Sequence, residues 1–317
     1  MARIILGIGA SHTTLMNTRW DSVDHLPEAH AFKAALQTAS ETLHEKSPDI
    51  AVVIGSNHFR GHWLDLMPTF TVGVDEILSS GEHGTPKGPQ KSTPTQALAI
   101  ANSLTEQNFD IAFSTRLVID HGLSHAIQYL TGENGIPVVP IMINSFAPPL
   151  ASLTRCVALG RALKKAVAQL PEELTVAVIG SGGLSHQLPF PDWRSPQSDN
   201  DDFLVDSWKN GRGDWERYET RRREIIVNAP AKINRTFDEN FLDRLCAGET
   251  ETWLSELAED ALAKTAGNGA NELRNWLVMH AATGFSGGTT LSYAPIAQWL
   301  TGMAVFICEP HNLEATI

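Results

Sequence analysis

The chain has 317 residues, 42% hydrophobic and 19% charged, a composition that is ordinary for a globular protein and excludes a disordered or fibrous one. Its formal net charge of −12 repels phosphate backbones, so we expect no binding to nucleic acid. The three cysteines form no CxxC pair, and no apolar run reaches the roughly 18 residues of a membrane span. We therefore expect a cytoplasmic protein with no disulfide framework, membrane segment or signal peptide.

Short apolar runs rich in β-branched residues alternate along the chain with patterns of helical period. The predicted strands are residues 3–8, 50–55, 69–74, 110–114, 137–143, 174–180 and 303–308. The predicted helices are residues 28–46, 94–104, 153–170 and 271–282, the last of them amphipathic. This alternation predicts an α/β fold in which a mixed central sheet is flanked by helices. The prolines within 137–143 favour an edge or end position for that strand.

Residues 195–265 differ from the rest of the chain, because they are polar, helical in pattern and rich in charge runs such as 221–224. This segment is either a solvated helical surface or a cover that forms a lid over an active site. No linker divides the chain. We therefore expect residues 1–317 to form a single domain with a helical C-terminal part.

Four of the twelve histidines follow predicted buried strands. His12 comes after the first strand and His58 after the second. His121 lies some residues beyond the strand at 110–114, and His186 follows the strand at 174–180. Ligands of open α/β sheets bind beyond the carboxyl ends of the strands, where loops from several strands converge. If the sheet is mainly parallel, the four imidazoles therefore share one pocket.

Such a histidine cluster is suited to binding a metal, because neutral imidazole is a ligand for zinc, copper, iron and nickel. Two histidines and one carboxylate on one face of the ion leave three positions open, as in Fe(II) sites that activate O₂. The remaining histidines can then transfer protons, since the ordinary pKa of histidine, about 6.5, is close to neutral pH.

Ser181-Gly182-Gly183 follows a predicted strand and contains only small residues. It is either a tight turn that needs a positive φ, or a place where backbone amides approach an anionic substrate or a developing charge. The motif lacks the Gly-x-Ser-x-Gly pattern of a nucleophilic serine, so a serine hydrolase is disfavoured.

Taken together, these motifs resemble those of the class III extradiol ring-cleavage dioxygenases over essentially the whole chain. The most specific are Asp120-His121-Gly122 and the stretch Ser181-Gly182-Gly183-Leu184-Ser185-His186. They are accompanied by Ser11-His12, Asn57-His58, Met67-Pro68-Thr69-Phe70, Asn271-Glu272-Leu273 and Tyr293-Ala294-Pro295-Ile296. The resemblance implies an enzyme that uses O₂ to open the ring of a catechol-type substrate beside its two hydroxyls.

The resemblance also implies the cofactor and the site residues. Fe(II) would be held by His12, His58 and a glutamate, which by its position in the motif corresponds to Glu272. His186 would act as an acid and base over the small aromatic diol, with His121 as a second such residue. Assembly into a homo-oligomer is expected on the same grounds.

Two positions depart from the family pattern. Aspartate often precedes the second histidine in the family, and proline often follows the first by two residues, whereas this chain has Asn57 and Thr14. Neither change removes a ligand, but both leave the substrate and the site's protons open. A carboxylate or carboxyalkyl group on the ring is expected, with Arg60, Arg194 and Arg235 as candidate partners.

Other readings of the same residues stay open at this point. Glu251, Glu256 and Glu259 are alternative carboxylates, and Glu272 can also be read as a surface residue of its helix. A zinc-dependent hydrolase could use the same histidine cluster with an activated water and without O₂. A non-catalytic binding homologue is the third possibility, because a fold does not fix a function.

Overall fold

The computed structural model describes residues 1–132, 135–257 and 261–310, which form one mixed β-sheet with helices on both faces. The strands are β1 (Arg3–Ala10), β2 (Ile50–Ser56), β3 (Phe70–Ser80), β4 (Lys87–Gln90), β5 (Ala112–Ile119), β6 (Val138–Ile143), β7 (Thr175–Ser181), β8 (Thr289–Ile296) and β9 (Thr301–Cys308). The helices are α1 (Leu15–Thr18), α2 (Pro27–Lys46), α3 (Pro94–Glu106), α4 (His121–Ala126), α5 (Leu153–Ala168), α6 (Asp199–Asn210), α7 (Glu216–Val227), α8 (Arg235–Ala247), α9 (Thr250–Glu256), α10 (Ala261–Ala266) and α11 (Leu273–Ala282). The predicted fold class is confirmed, and each predicted strand and helix overlaps an observed one.

The sheet has the strand order β4-β3-β6-β2-β7-β1-β9-β8, and β5 pairs with β3. Its centre, β6-β2-β7-β1, is parallel, and antiparallel strands flank this centre on both sides. The carboxyl ends of the four central strands therefore meet at one end of the sheet.

Both faces of the central strands are covered, which explains their nearly continuous apolar sequences. Successive residues of a strand point to opposite faces. In β2, Val52 and Ile54 belong to the core that contains α3, α5 and α11, whereas Ala51 and Val53 belong to the core that contains α2 and α4.

Of the two positions predicted for residues 137–143, the edge of the sheet is wrong, because β6 lies between β3 and β2. The carbonyls of Pro137 and Ile143 accept hydrogen bonds from the β2 side. Backbone groups of successive residues in a strand point alternately to its two neighbours, and Pro140 is three residues from each. The backbone of Pro140 therefore faces β3. Pairing of β6 with β3 ends at Ile141. The missing N–H of Pro140 therefore falls just beyond the ladder, where it costs no hydrogen bond.

His121 reaches the site from outside the parallel centre. It follows β5, which pairs with β3 after a register shift between Gly73 and Glu76. The start of α4 then packs closely on the end of β2. A Cβ on Gly55 would collide with the carbonyl oxygen of Gly122, and a Cβ on Gly122 would collide with that of Ser56. Glycine at both positions avoids these collisions.

Helix α11 is buried on all sides, so the predicted amphipathic pattern at 271–282 is wrong. All ten of its residues are buried, because it packs between α5 and the strands β1, β2 and β7. Its polar side chains Arg274, Asn275 and His280 make hydrogen bonds inside the protein. Arg274 Nε, for example, donates to the carbonyl of Ala151 at 2.9 Å.

The segment at 195–265 is helical, as predicted, and contains α6 to α10. It packs on the loop after β2, where the ring of Trp208 stacks on Phe59 at a centroid distance of 4.2 Å. Its possible movement as a lid stays a prediction. None of the helices within the described ranges combines the length and hydropathy that a membrane span requires.

Candidate active site

Three of the predicted histidines meet where β1, β2 and β7 end. His12, His58 and His186 are each at most 5% exposed. The ring centroids of His12 and His58 are 5.6 Å apart, with the rings edge to face. The parallel register of the central strands thus brings together residues that are distant in sequence.

Glu272 reaches the same point from the residue before α11, and it is 1% exposed, so its reading as a surface glutamate is wrong. Gly182 makes room for it, since a Cβ there would lie 2.6 Å from Glu272 Cβ. The amide of Gly183 donates to Glu272 Oε2 at 2.8 Å. The Ser181-Gly182-Gly183 turn therefore approaches an anion, but this anion is a protein carboxylate, and neither glycine has a positive φ.

Two imidazole nitrogens and one carboxylate oxygen converge. His12 Nε2 and His58 Nε2 each lie 3.4 Å from Glu272 Oε1. His12 Nε2 and Glu272 Oε1 are buried and have no hydrogen-bond partner among the described residues. Buried polar atoms normally have partners, so this exception indicates a missing ligand. The donor set suits a divalent transition metal, and the residues fit such an ion.

The outer nitrogens of both imidazoles are held by hydrogen bonds. His12 Nδ1 and Ser181 Oγ are 2.8 Å apart. His58 Nδ1 donates to Asp120 Oδ1 at 3.2 Å, and Asp120 Oδ2 accepts from the backbone amide of His58. Bonds of this kind orient metal-binding histidines and leave the Nε2 lone pairs for the ion.

The protein atoms alone favour positive charge at the convergence point. Burial opposes protonation of His58, but Asp120 and Glu272 outweigh it and raise the pKa of His58 to about 10. Burial also opposes ionisation of Glu272, yet His12 and His58 hold the pKa of Glu272 well below its usual range. A metal cation would take the place of the proton on His58.

His121 lies against His58, with ring centroids 3.9 Å apart, and its Nδ1 is 2.5 Å from Glu82 Oε1. Burial and the charge of His58 lower the pKa of His121 to about 4, despite Glu82. A ligand atom of His121 lies within 4.8 Å of ligand atoms of His12 and His58, so these three could also hold a metal. The same distance applies to a second possible group, formed by His121, Glu82 and Asp120. The carboxylates of Glu82 and Asp120 already accept hydrogen bonds, whereas Glu272 Oε1 has no partner among the described residues. Glu272 is therefore the better carboxylate ligand for a metal.

His186 lies near the second carboxylate oxygen of Glu272, whereas His12 and His58 lie near the first. Its Nδ1 lies 2.8 Å from the carbonyl oxygen of Leu184, which can only accept, so Nδ1 carries the proton. Its Nε2 is 4.0 Å from Glu272 Oε2. Burial lowers the pKa of His186, which makes the ring a neutral proton acceptor at its Nε2.

Comparison with known proteins identifies the family. Residues 6–304 match the family described as the catalytic LigB subunit of aromatic ring-opening dioxygenase. The chain belongs to this family. It is 32% identical to the 2,3-dihydroxyphenylpropionate/2,3-dihydroxicinnamic acid 1,2-dioxygenase of Rhodococcus jostii (strain RHA1), over 86% of this chain and 88% of that protein. Proteins of the same name from Rhodococcus sp and Comamonas testosteroni are 31% and 32% identical, over 93% and 87% of this chain and 95% and 86% of theirs.

The protein is therefore an extradiol, ring-opening dioxygenase, as its motifs predicted. Enzymes of this family are metal-dependent and act on an aromatic diol with O₂, and the cluster described above is where this chain can hold the metal. Family membership favours this function over the zinc-hydrolase and non-catalytic alternatives.

The cluster lines the active-site cavity of this dioxygenase. The histidines and Glu272 form one side of it. The apolar side chains that line it, which suit an aromatic ring, are Leu15, Leu188, Phe190, Ile226, Trp299 and Leu300.

The helical segment supplies another side of the cavity through α7. Glu219, Arg222, Arg223 and Ile226 all line it. The sequence interpretation left this segment as either a solvated surface or a cover over the active site, and it singled out none of these four residues. The signal that could have found them is their spacing, since positions i, i+3, i+4 and i+7 share one face of a helix.

The three arginines expected to bind a substrate carboxylate are engaged elsewhere. Arg60 is buried between the carboxylates of Glu82 and Glu219. Arg194 and Arg235 are exposed, each ion-paired with an acidic residue two or four positions away. None of the three lines the cavity.

The structure gives a reason for asparagine at position 57. Asn57 Nδ2 donates to the carbonyl of His62 at 2.9 Å, and Asn57 Oδ1 accepts from the amide of His62 at 3.0 Å. An ionised aspartate could make only the second bond. Among the alternative carboxylates, Glu251 and Glu256 are exposed and ion-paired in α9, and Glu259 lies outside the described residues.

Proposed function

We propose that the chain is an Fe(II)-dependent extradiol dioxygenase whose iron is bound by His12, His58 and Glu272. The observation that carries the proposal is the approach of both Nε2 atoms to Glu272 Oε1, at 3.4 Å each. Two histidines and a carboxylate are the set typical of Fe(II) oxygenases. When bound, Fe(II) would offer open positions for the two catechol oxygens and for O₂ side by side.

His186 is proposed to accept a proton from a substrate hydroxyl and to return it later in the reaction. Its Nδ1–H is committed to Leu184 O, so the free lone pair is on Nε2, the atom that faces Glu272. A neutral ring is required for this role, and burial keeps the pKa of His186 below its ordinary value. General acid–base help of this kind contributes about 10²–10⁴-fold to a rate.

His121 is proposed as a second proton-transfer residue. The Glu82 carboxylate accepts from Nδ1, which fixes the tautomer and leaves Nε2 as the reactive atom. With a pKa of about 4, the ring is neutral near pH 7. It stands beside the His58 ring and lines the cavity, so its Nε2 is available to the substrate.

The proposed substrate is a catechol that carries a carboxyl or carboxyalkyl group. The relatives named above are 2,3-dihydroxyphenylpropionate/2,3-dihydroxicinnamic acid dioxygenases, and both of those substrates bear a carboxylated chain. Phe190 and Ile226, which line the cavity, offer apolar contacts to such a ring.

Metal reconstitution tests the proposal. The metal-free protein is prepared without oxygen, loaded with Fe(II) or Zn(II), and mixed with carboxylated catechols in air. We expect O₂ uptake and visible absorbance from ring opening with Fe(II) only, at one iron per chain. Ring opening by the metal-free protein, or a His12→Ala protein with stoichiometric iron, would disprove the assignment.

We also propose that the enzyme is a cytoplasmic homo-oligomer that does not bind nucleic acid, in keeping with its net charge of −12. Sedimentation of the iron-loaded protein at several concentrations tests the assembly. A single species with the mass of one chain, 34.6 kDa, would contradict it.

A further inference from the structure

The cationic side chains around the cavity differ in whether a carboxylate already neutralises them. Arg60 Nε lies 3.2 Å from Glu82 Oε2, and Arg60 Nη2 lies 2.6 Å from Glu219 Oε2. Both acids line the cavity, and each has one oxygen paired with Arg60. Arg222 and Arg223 also line the cavity, but neither forms an ion pair with a carboxylate among the described residues.

Arg222 and Arg223 are held differently. Arg222 is 6% exposed, and its Nη2 donates to the backbone carbonyl of His58 at 2.9 Å. It therefore supports the loop that carries a proposed iron ligand. Arg223 is half-buried, and its guanidinium binds only two hydroxyl oxygens among the described residues. Of the two, Arg223 is the more accessible to a ligand.

From this arrangement we infer that Arg223, held in place by Thr14 and Thr18, binds the carboxylate on the substrate's ring substituent. The inference rests on the proposed function and adds the residue that recognises the substituent. A guanidinium matches a carboxylate in geometry and forms two parallel hydrogen bonds with it. Partial burial in the cavity makes such a pair stronger than one on an open surface.

The two threonines orient the guanidinium without neutralising it. Arg223 Nη1 donates to Thr14 Oγ1 at 2.7 Å, and Nη2 donates to Thr18 Oγ1 at 2.5 Å. The Thr18 hydroxyl donates to the carbonyl of Thr14, so its oxygen is left to accept. These contacts use two of the five N–H donors of Arg223, which leaves three for a ligand.

The position of Thr14 links the proposed anion site to the metal site. Thr14 follows His12 by two residues, and both line the cavity. The distance between the iron and the guanidinium is therefore set by a short stretch of one loop. Proline, which the family often has at this position, lacks the hydroxyl that Thr14 offers to Arg223. Threonine at position 14, where the family often has proline, thus serves to hold Arg223 in this chain.

The test compares two substrates of similar size in Arg223→Gln. One is 3-(2,3-dihydroxyphenyl)propionate, and the other is 3-propylcatechol, which has no charge. We expect kcat/KM for the propionate to fall about 10- to 100-fold, mainly through KM, because a charge-assisted pair is lost. For 3-propylcatechol we expect a change of less than about threefold.

Two further variants serve as controls. Arg221→Gln changes the neighbouring arginine, which is exposed and bonds to Asn200 and the carbonyl of Asp199, and it should alter neither substrate. Thr18→Val leaves the charge and removes one hydroxyl, so it should weaken only the propionate, by less than Arg223→Gln does. The metal content of each variant is measured alongside.

A second measurement is independent of turnover of the propionate. 3-Phenylpropionate lacks the diol and should inhibit opening of 3-propylcatechol competitively in the unmodified enzyme, but about 10-fold more weakly in Arg223→Gln. Equal losses on both substrates, or no loss on either, would overturn the assignment of Arg223. An iron-loaded, unmodified enzyme that opens neither catechol would instead overturn the proposed function.

Discussion

Two sides of one cavity are built in different ways. We call His12, His58, His186 and Glu272 the floor, because they come from the ends of the central strands and from the start of α11. We call the face of α7 formed by Glu219, Arg222, Arg223 and Ile226 the wall. The floor is almost fully buried, whereas the wall belongs to a polar helix with only two buried residues.

The difference lies in what positions each side chain. Floor residues are oriented by bonds from the sheet itself, such as Ser181 to His12 and the Gly183 amide to Glu272. Wall residues are oriented by their contacts with loops of the floor, such as Arg223 with Thr14. We therefore propose that the floor governs the chemistry of every substrate, while the wall selects among ring substituents.

The largest effect should come from removing the charge of the floor carboxylate. In Glu272→Gln, an amide replaces the oxygen that faces both Nε2 atoms, so we expect loss of iron and background activity on charged and neutral catechols alike. Metal analysis and O₂ uptake measure both. The matched control is Glu256→Gln, an exposed glutamate in α9, which should behave as the unmodified enzyme. Selective loss of one substrate class in Glu272→Gln would break the distinction between floor and wall.

Proton transfer can be separated from metal binding within the floor. His186→Gln should lower kcat by about 10²–10⁴-fold while iron stays stoichiometric, because His186 lies 4.0 Å from Glu272 and is proposed to act on the substrate. Both substrate classes should lose the same factor. His44→Gln, at an exposed position of α2, is the control. Retention of full turnover in His186→Gln would remove this residue from the proposed reaction.

A smaller effect on iron binding is expected from Asp120, which bonds to His58 of the floor. Asp120 accepts from both Nδ1 and the backbone amide of His58 and caps α4 through the amide of Gly122. Asp120→Asn should weaken iron binding about 10- to 100-fold, the usual cost of losing an outer hydrogen bond. Competition with a chelator measures the affinity. The control is Asp192→Asn, at an exposed position, which should bind iron as the unmodified enzyme does. An unchanged affinity in Asp120→Asn would mean that His58 is oriented by its packing alone.

The residue pattern was sufficient to predict that the histidines of the floor meet, but it predicted neither Glu272 nor the wall. His12, His58 and His186 follow buried strands, and parallel strands bring their carboxyl ends together. Their meeting could therefore be predicted once the strands were recognised. Glu272 was found only through the resemblance to a family, since its helix gave a misleading amphipathic pattern.

The wall escaped prediction for a physical reason. A charged helix face looks the same in sequence whether it meets solvent or a polar cavity, and only the tertiary packing of α7 distinguishes the two. The same holds for Glu82, which lies in a short turn after β3 and contacts His121, a residue 39 positions away in sequence. For Pro140, the sequence predicted too much. Proline favours an edge strand because it lacks an N–H, but this matters only where that N–H would face a paired strand, and the sequence does not show which side of β6 it faces.

The smallest effect concerns the junction between α11, behind the floor, and the helical segment that carries the wall. His280 lies fully buried in α11, where its Nδ1 is 2.7 Å from Thr250 Oγ1 in α9 and its Nε2 is 3.0 Å from Ser286 O. The carbonyl requires a proton on Nε2, so Nδ1 accepts from the threonine and the ring is neutral. Burial lowers the pKa of His280 to about 4.

Because the folded protein resists protonating His280, the unfolded chain takes up the proton first as the pH falls below about 6.5. The stability linked to this residue is therefore complete above pH 6.5 and is lost progressively as the pH falls toward 4. Between pH 7.5 and 5.5, the unmodified protein should lose about 1.4 kcal/mol more stability than His280→Gln, which cannot titrate there. Urea unfolding of both proteins at the two pH values measures the difference. Equal losses would mean that His280 is protonated within the fold, and that the junction between floor and wall tolerates a charge.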